Sequence, residues 1–214
     1  MAASETALLA SVDQELRVAC YCEENVWRLA YRKTQQQTLQ NKYIVVFISN
    51  ATKSVPMFFQ TAASAADKPC CWDYHVILVS VAHNEDSQQV LVWDLDSRLP
   101  YPCPLADYLE QSFPFAYADC YMPFFRLIPA MLYLDNFSSD RMHMYDAVSG
   151  KWNAPPPVYP SIGSSRPSNL YRYLDFNATN SSNKRKDPIA ADSNKFGTIL
   201  SLFELYTYEF AFND

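Results

Sequence analysis

A chain of 214 residues, 49% hydrophobic and 19% charged, reads as one globular domain, long enough to bury roughly 70% of its unfolded surface. Its formal charge of −6 argues against a broad nucleic-acid footprint, and no apolar run approaches the ~20 residues of a membrane span. The three glycines, Gly150, Gly163 and Gly197, form no phosphate-cradling pattern, which excludes P-loop and Rossmann fingerprints.

The first residues, M-A-A-S-E-T-A-L-L-A-S-V-D, carry an acid, no early Lys or Arg, and too short an apolar piece for a secretory signal. The expectation is a reducing compartment, the cytosol, in which all six cysteines (20, 22, 70, 71, 103 and 120) are thiols. The sequons at Asn50, Asn136, Asn177 and Asn180 then stay unmodified.

A helix is expected from Glu23 to about Lys33. Cys22, Val26, Leu29, Ala30 and Lys33 share its inward face, and Glu24, Arg28 and Arg32 form a solvated stripe. Y-I-V-V-F-I-S (43–49) reads as a buried central strand ended by N-A-T-K. Residues 74–81 and 90–96 read as an antiparallel hairpin around the polar segment 83–89. P-F-F-R-L-I-P supplies a further strand, and Pro155, Pro156 and Pro157 impose an extended path. Residues 177–195 read as a mobile polar loop. Its K-R-K (184–186) is a solvated charge cluster that also allows a nuclear address. F-G-T-I-L and a helix capped by Ser201 in S-L-F-E close the chain.

Three residues of thiol catalysis occur in the order Cys22, His75, Asp94 on helix, strand and strand. A thiol must become a thiolate to attack a carbonyl. The helix N-terminus favours this by only ~0.3–1 kcal/mol, and Glu23 and Glu24 oppose it, so a cationic imidazole must do most of the work. With the hairpin turn between Asn84 and Glu85, His75 lies directly opposite Asp94, and a two-residue slip brings Asp96 across instead. Pattern alone leaves that choice open. His83 and His143 fall in polar segments, which leaves His75 as the base. Each member also has a plainer reading, as a structural cysteine or a satisfied polar pair. C-Y-C at 20–22 has the wrong spacing for a zinc knuckle and is too tight for a disulfide.

The blocks Y-C-E-E-N-V-W (21–27), V-F-I-S-N (46–50), W-D-Y-H-V (72–76) and W-D-L-D (93–96) resemble the protein N-terminal glutamine amidohydrolases. So do L-P-Y-P-C (99–103), N-F-S-S-D-R-M-H-M (136–144), W-N-A-P-P-P-V-Y-P (152–160) and G-T-I-L-S-L-F-E-L (197–205). They span nearly the whole chain in order. The family pattern does not include Cys70 and Cys71, and the 177–195 stretch is longer than its counterpart.

The resemblance implies a monomeric α/β (α+β) sandwich, with a central mainly antiparallel sheet and flanking helices, of the transglutaminase-like, papain-related kind. It implies deamidation of N-terminal glutamine to glutamate with release of ammonia, as a step in N-degron turnover, with Cys22 as nucleophile, His75 as base and Asp94 as its orienting acid. No metal, cofactor, nucleic acid or membrane is expected. A free α-ammonium needs a carboxylate reader, and Glu23, Asp73 and Asp140 are the candidates. Their plainer readings are a first-turn acid, a surface acid and a salt bridge to Arg141. Two other classes stay open: a thiol acyltransferase or peptidase on the same fold, and a non-catalytic reader of protein N-termini. Selective alkylation of Cys22 as a low-pKa thiol would distinguish an enzyme from a reader.

Overall fold

The computed structural model describes residues 11–36, 41–84, 87–114, 118–177 and 193–210. Its first half holds helix α1 (Cys22–Gln35) and strands β1 (Asn41–Ser49), β2 (Val55–Met57), β3 (Cys70–Trp72), β4 (His75–Asn84), β5 (Ser87–Trp93) and β6 (Cys103–Pro104). Helix α2 (Leu105–Ser112), β7 (Phe124–Pro129), α3 (Ala130–Asn136), β8 (Tyr145–Asp146), β9 (Lys151–Trp152), α4 (Leu170–Tyr173), β10 (Thr198–Ser201) and α5 (Leu202–Tyr206) follow.

The run from Ile44 to Ile48 within β1 is apolar, and both of its faces are covered. Val45 and Phe47 enter one core, while Val46 and Ile48 enter the other, as the two-residue period of a strand requires. The six-stranded sheet has the order β10-β7-β1-β4-β5-β6, and each neighbouring pair in it is antiparallel. Helices α1, α3 and α4 cover one face through Val26, Leu29, Tyr133, Leu170 and Tyr173. On the other face lie α2 and α5, through Tyr108, Leu109 and Leu205. The architecture is therefore mixed α and β around a central antiparallel sheet. Among the described residues no helix is long and apolar enough to cross a membrane.

Helix α1 buries the expected face, Lys33 included, whose ammonium pairs with Asp13 at 2.7 Å. The predicted solvated stripe is wrong. Glu24 is fully buried and held by Arg141, Arg28 lies 4.3 Å over the Tyr159 ring, and Arg32 pairs with Asp13. Helical period reports spacing within one element, and here other parts of the chain cross the polar side as well.

The hairpin is present, but its register differs from the one that sets His75 opposite Asp94. The ladder pairs Asn84 with Ser87 and Leu78 with Trp93, so the turn lies one residue later than expected. Strand β5 ends at Trp93, and Asp94 begins a turn, closed by Ser97 N–H on the Asp94 carbonyl, that carries its side chain to His75.

The strand at P-F-F-R-L-I-P is β7, and its buried Arg126 donates to the carbonyls of Tyr173, Asp175 and Phe196. Ser201 caps α5 with the reciprocal Glu204 bonds read from S-L-F-E. Gly197 has φ +73°, and a Cβ there would stand 1.9 Å from the Leu127 carbonyl oxygen, so only glycine lets β10 approach β7. Residues 155–157 form neither helix nor strand. Most of the predicted loop at 177–195, residues 178–192, lies outside the described residues.

Candidate active site

Cys22 opens α1 without a side-chain cap from Tyr21. Asn25 secures the approach instead: its side chain accepts from Val18 N–H (2.9 Å) and donates to the Val18 carbonyl (2.8 Å). Cys20 takes a left-handed φ of 67° and stays exposed, while Cys22 turns inward. The Cys22 sulfur meets the backbone N–H of Val76 and lies 3.8 Å from Glu23 Oε2. Burial first, then the Glu23 and Asp96 charges, push its thiol well above the usual range. A helix end worth ~0.3–1 kcal/mol does not reverse that, so the resting group is a thiol and not the low-pKa thiolate.

His75, the first residue of β4, adjoins Val76 and is fully buried. Its Nε2 lies 2.9 Å from Asp94 Oδ1, and its Nδ1 is buried without a hydrogen-bond partner. Trp72 stacks on the ring at 5.3 Å. Asp94 Oδ1 also accepts the Asp96 N–H at 2.9 Å, and Oδ2 accepts the Tyr108 hydroxyl at 2.8 Å. Burial works to lower the His75 pKa, but the Asp94 charge and hydrogen bond overcome it and raise the value. Burial likewise works to raise the Asp94 carboxyl, yet the His75 charge and the bonds it accepts leave it lowered. Asp94 therefore supports the positive charge that His75 gains whenever its ring takes up a proton.

His75, Asp94 and Asp96 place one ligand atom each within 4.8 Å of one another. Those atoms are already engaged: Asp94 as above, and Asp96 Oδ1 by Arg17 at 2.7 Å. The donor chemistry is that of a hydrogen-bonded charge network and gives no metal a free carboxylate oxygen on Asp94.

The three candidate acids converge on a residue set aside in the sequence, His143. Its Nε2 lies 3.6 Å from Glu23 Oε1 and 3.4 Å from the Tyr74 hydroxyl. Burial holds the ring below its ordinary pKa, against the charges of Asp140, Asp73 and Glu24. Glu23 is fully buried. Its Oε2 accepts the Tyr74 hydroxyl at 3.0 Å, while Oε1 has no hydrogen-bond partner. Burial raises this carboxyl to about 7, against the hydrogen bonds it accepts. Asp73 and Asp140 are exposed, each accepting a nearby backbone N–H, from Tyr74 and Met142. The expected Asp140–Arg141 salt bridge does not form. Arg141 instead grips Glu24 with bonds of 2.9 and 2.7 Å. Tyr74 and His143 were readable in W-D-Y-H-V and D-R-M-H-M, but nothing local announces that the two blocks meet.

A family model described as N-terminal glutamine amidase matches residues 17–208. The protein N-terminal glutamine amidohydrolase of Bos taurus is 45% identical over 148 residues, 67% of this chain and 69% of its own. Its namesake from Homo sapiens is 44% identical over the same shares, and that from Drosophila ananassae is 42% identical over 163 residues, 74% of this chain and 76% of its own. The match takes in Cys22, His75, Asp94 and the acids around His143, and on it the chain belongs to the N-terminal glutamine amidase family.

Proposed function

We propose that this chain hydrolyses the side-chain amide of an N-terminal glutamine, in proteins and peptides, to glutamate and ammonia. The observation that carries the reading is the state of His75: Nε2 is fixed on Asp94, Nδ1 is buried and unpartnered, and the backbone N–H of the next residue, Val76, works to lower the pKa of the Cys22 thiol. One ring nitrogen is oriented and the other is open to exchange a proton, the division of labour a thiol hydrolase needs.

In the first step Cys22 sulfur bonds to the δ-carbon of glutamine and its proton passes to His75. Because burial keeps the thiol protonated, that transfer accompanies the attack. His75 returns the proton to the departing nitrogen, the carbon–nitrogen bond breaks, and a thioester remains. Water then gives a proton to His75 and its oxygen to the acyl carbon, and the sulfur–carbon bond breaks to restore the thiol. The oxyanion is held by the backbone N–H of Cys22, a first-turn amide with no acceptor in its own helix. Glu23 is the reader of the α-ammonium, with Asp73 and Asp140 adding negative potential. An ammonium supplies the donor that Oε1 lacks and draws the carboxyl to its ionised form.

The carriage of Cys, His and Asp on helix, strand and strand end supports kinship with transglutaminase-like, papain-related folds. We read the enzyme as a monomer of the cytosol, with the nucleus as a further address, that feeds N-degron turnover. Replacing the nucleophile is the direct test: Cys22→Ser is expected to lower ammonia release from a Gln-first peptide by roughly 10³-fold or more. Release near the unaltered rate removes Cys22 from the mechanism.

A further inference from the structure

A cavity of about 500 Å³, bordered by Asp140, His143, Ser168, Tyr171, Leu174 and Asp175, takes no part in the steps above. Its volume falls within the ~300–1,000 Å³ of small-ligand sites. His143 belongs to its wall and also reaches the buried centre, with Nε2 3.6 Å from Glu23 Oε1. The other Glu23 oxygen is 3.8 Å from Cys22 Sγ. Two side chains therefore link the cavity to the nucleophile. Of these, Glu23 is fully buried, and the oxygen that lies 3.6 Å from His143 Nε2 has no hydrogen-bond partner.

We propose that this cavity is the subsite for the residues that follow the N-terminal glutamine, with His143 as its inner wall. The proposal rests on the reading of Cys22 as the nucleophile of an N-terminal glutamine hydrolase and says where the remainder of the substrate lies. With the δ-carbon at Cys22 and the α-ammonium at Glu23, the peptide must leave on the Glu23 side, and the cavity beside His143 lies there. Its lining matches a peptide. Tyr171 and the half-buried Leu174 offer apolar area to a second side chain, and Ser168 offers a hydroxyl to main-chain amides. The carboxylates of Asp140 and Asp175, against the single ammonium of Lys53, disfavour an anionic ligand.

Two substrates separate the subsite from the chemistry: glutamine α-methylamide, which ends at the first residue, and a Gln-Ala-Ala-Ala tetrapeptide. The variant Ser168→Trp, which fills the cavity, is expected to raise KM for the tetrapeptide by about five-fold or more and to leave the methylamide unchanged, with kcat preserved for both. Tyr171→Ala removes a side chain 67% exposed, so the fold tolerates it, and it is expected to raise the tetrapeptide KM alone. Equal effects on both substrates, or no effect of either variant on the tetrapeptide, overturn the subsite while leaving the catalytic reading in place. If the unaltered chain releases no ammonia from either substrate, the catalytic reading falls and this proposal with it.

Discussion

Glu23 is a carboxyl with no exposure to water, one oxygen unpartnered, beside a thiol that its charge makes harder to ionise. Its pKa rises from 4.5 to about 7 on folding, so the native chain holds the proton more tightly than the unfolded one. Stability contributed by this group therefore falls as pH rises from 4.5 toward about 7, and the full penalty, up to about 3 kcal/mol, applies above that range. Glu23→Gln keeps an acceptor for the Tyr74 hydroxyl and removes the ionisation. It is expected to raise the urea midpoint at pH 8 and to change it little at pH 4. An unchanged midpoint at pH 8 shows that the carboxyl is not strained in this way. The same variant is expected to raise KM for Gln-first peptides, which is what a retained, destabilising carboxylate is for. At Asp94, substitution by Asn removes the charge that overcomes the burial of His75. The expected cost is roughly 10³–10⁴-fold in kcat with the fold intact, in line with the loss of an orienting acid from a triad. Iodoacetamide at pH 7.5 is expected to reach the exposed Cys20, Cys71 and Cys120 before the buried Cys22, the reverse of what a resting thiolate would give, so selective alkylation of Cys22 does not separate an enzyme from a reader in this chain.

At the scale of elements, what could be read from the sequence is what local period encodes. Helix α1, the central β1, the β4–β5 hairpin, β7, and β10 leading into the Ser201-capped α5 all announce themselves through spacing or a cap. The choice of Asp94 over Asp96 as the partner of His75 came from the family resemblance, since pattern left it open and the hairpin register that favoured Asp94 is not the one formed. The ladder ends at Trp93 and a turn, not a cross-strand position, delivers the carboxylate. Long-range contacts were beyond such a reading. Nothing near Glu24 in sequence tells of Arg141, 117 residues away, and without that partner Glu24 looks like a solvated first-turn acid. His143 was missed for the same reason: its polar neighbours hide that it comes to rest on Glu23 and Tyr74. The Glu24–Arg141 pair ties the 138–160 connection to the start of α1, where Arg141 also donates to the Pro157 carbonyl at 3.1 Å. Arg141→Met leaves Glu24 buried and unpaired, so a loss of about 3–5 kcal/mol is expected in urea unfolding. The double variant Glu24→Gln, Arg141→Met is expected to recover part of that loss, and a single-variant cost below ~1 kcal/mol contradicts the account.

The whole molecule assembles its site from parts that meet only in the folded chain. The start of α1 supplies Cys22 and Glu23 from one side of the sheet. The start of β4 and the turn after β5 supply His75 and Asp94, and the connection after α3 supplies His143. No single segment holds two of the three proposed reacting or orienting groups, so catalysis depends on the packing of α1 against the sheet. The most direct measurement of the central claim is ammonia release from four short peptides: Gln-first, Asn-first, Gln-second and N-acetylated Gln-first. Turnover of the free Gln-first peptide alone is expected, because the δ-carbon must reach Cys22 while a charged amine meets Glu23. Comparable release from the acetylated or Gln-second peptide, or none from any of the four, would contradict it.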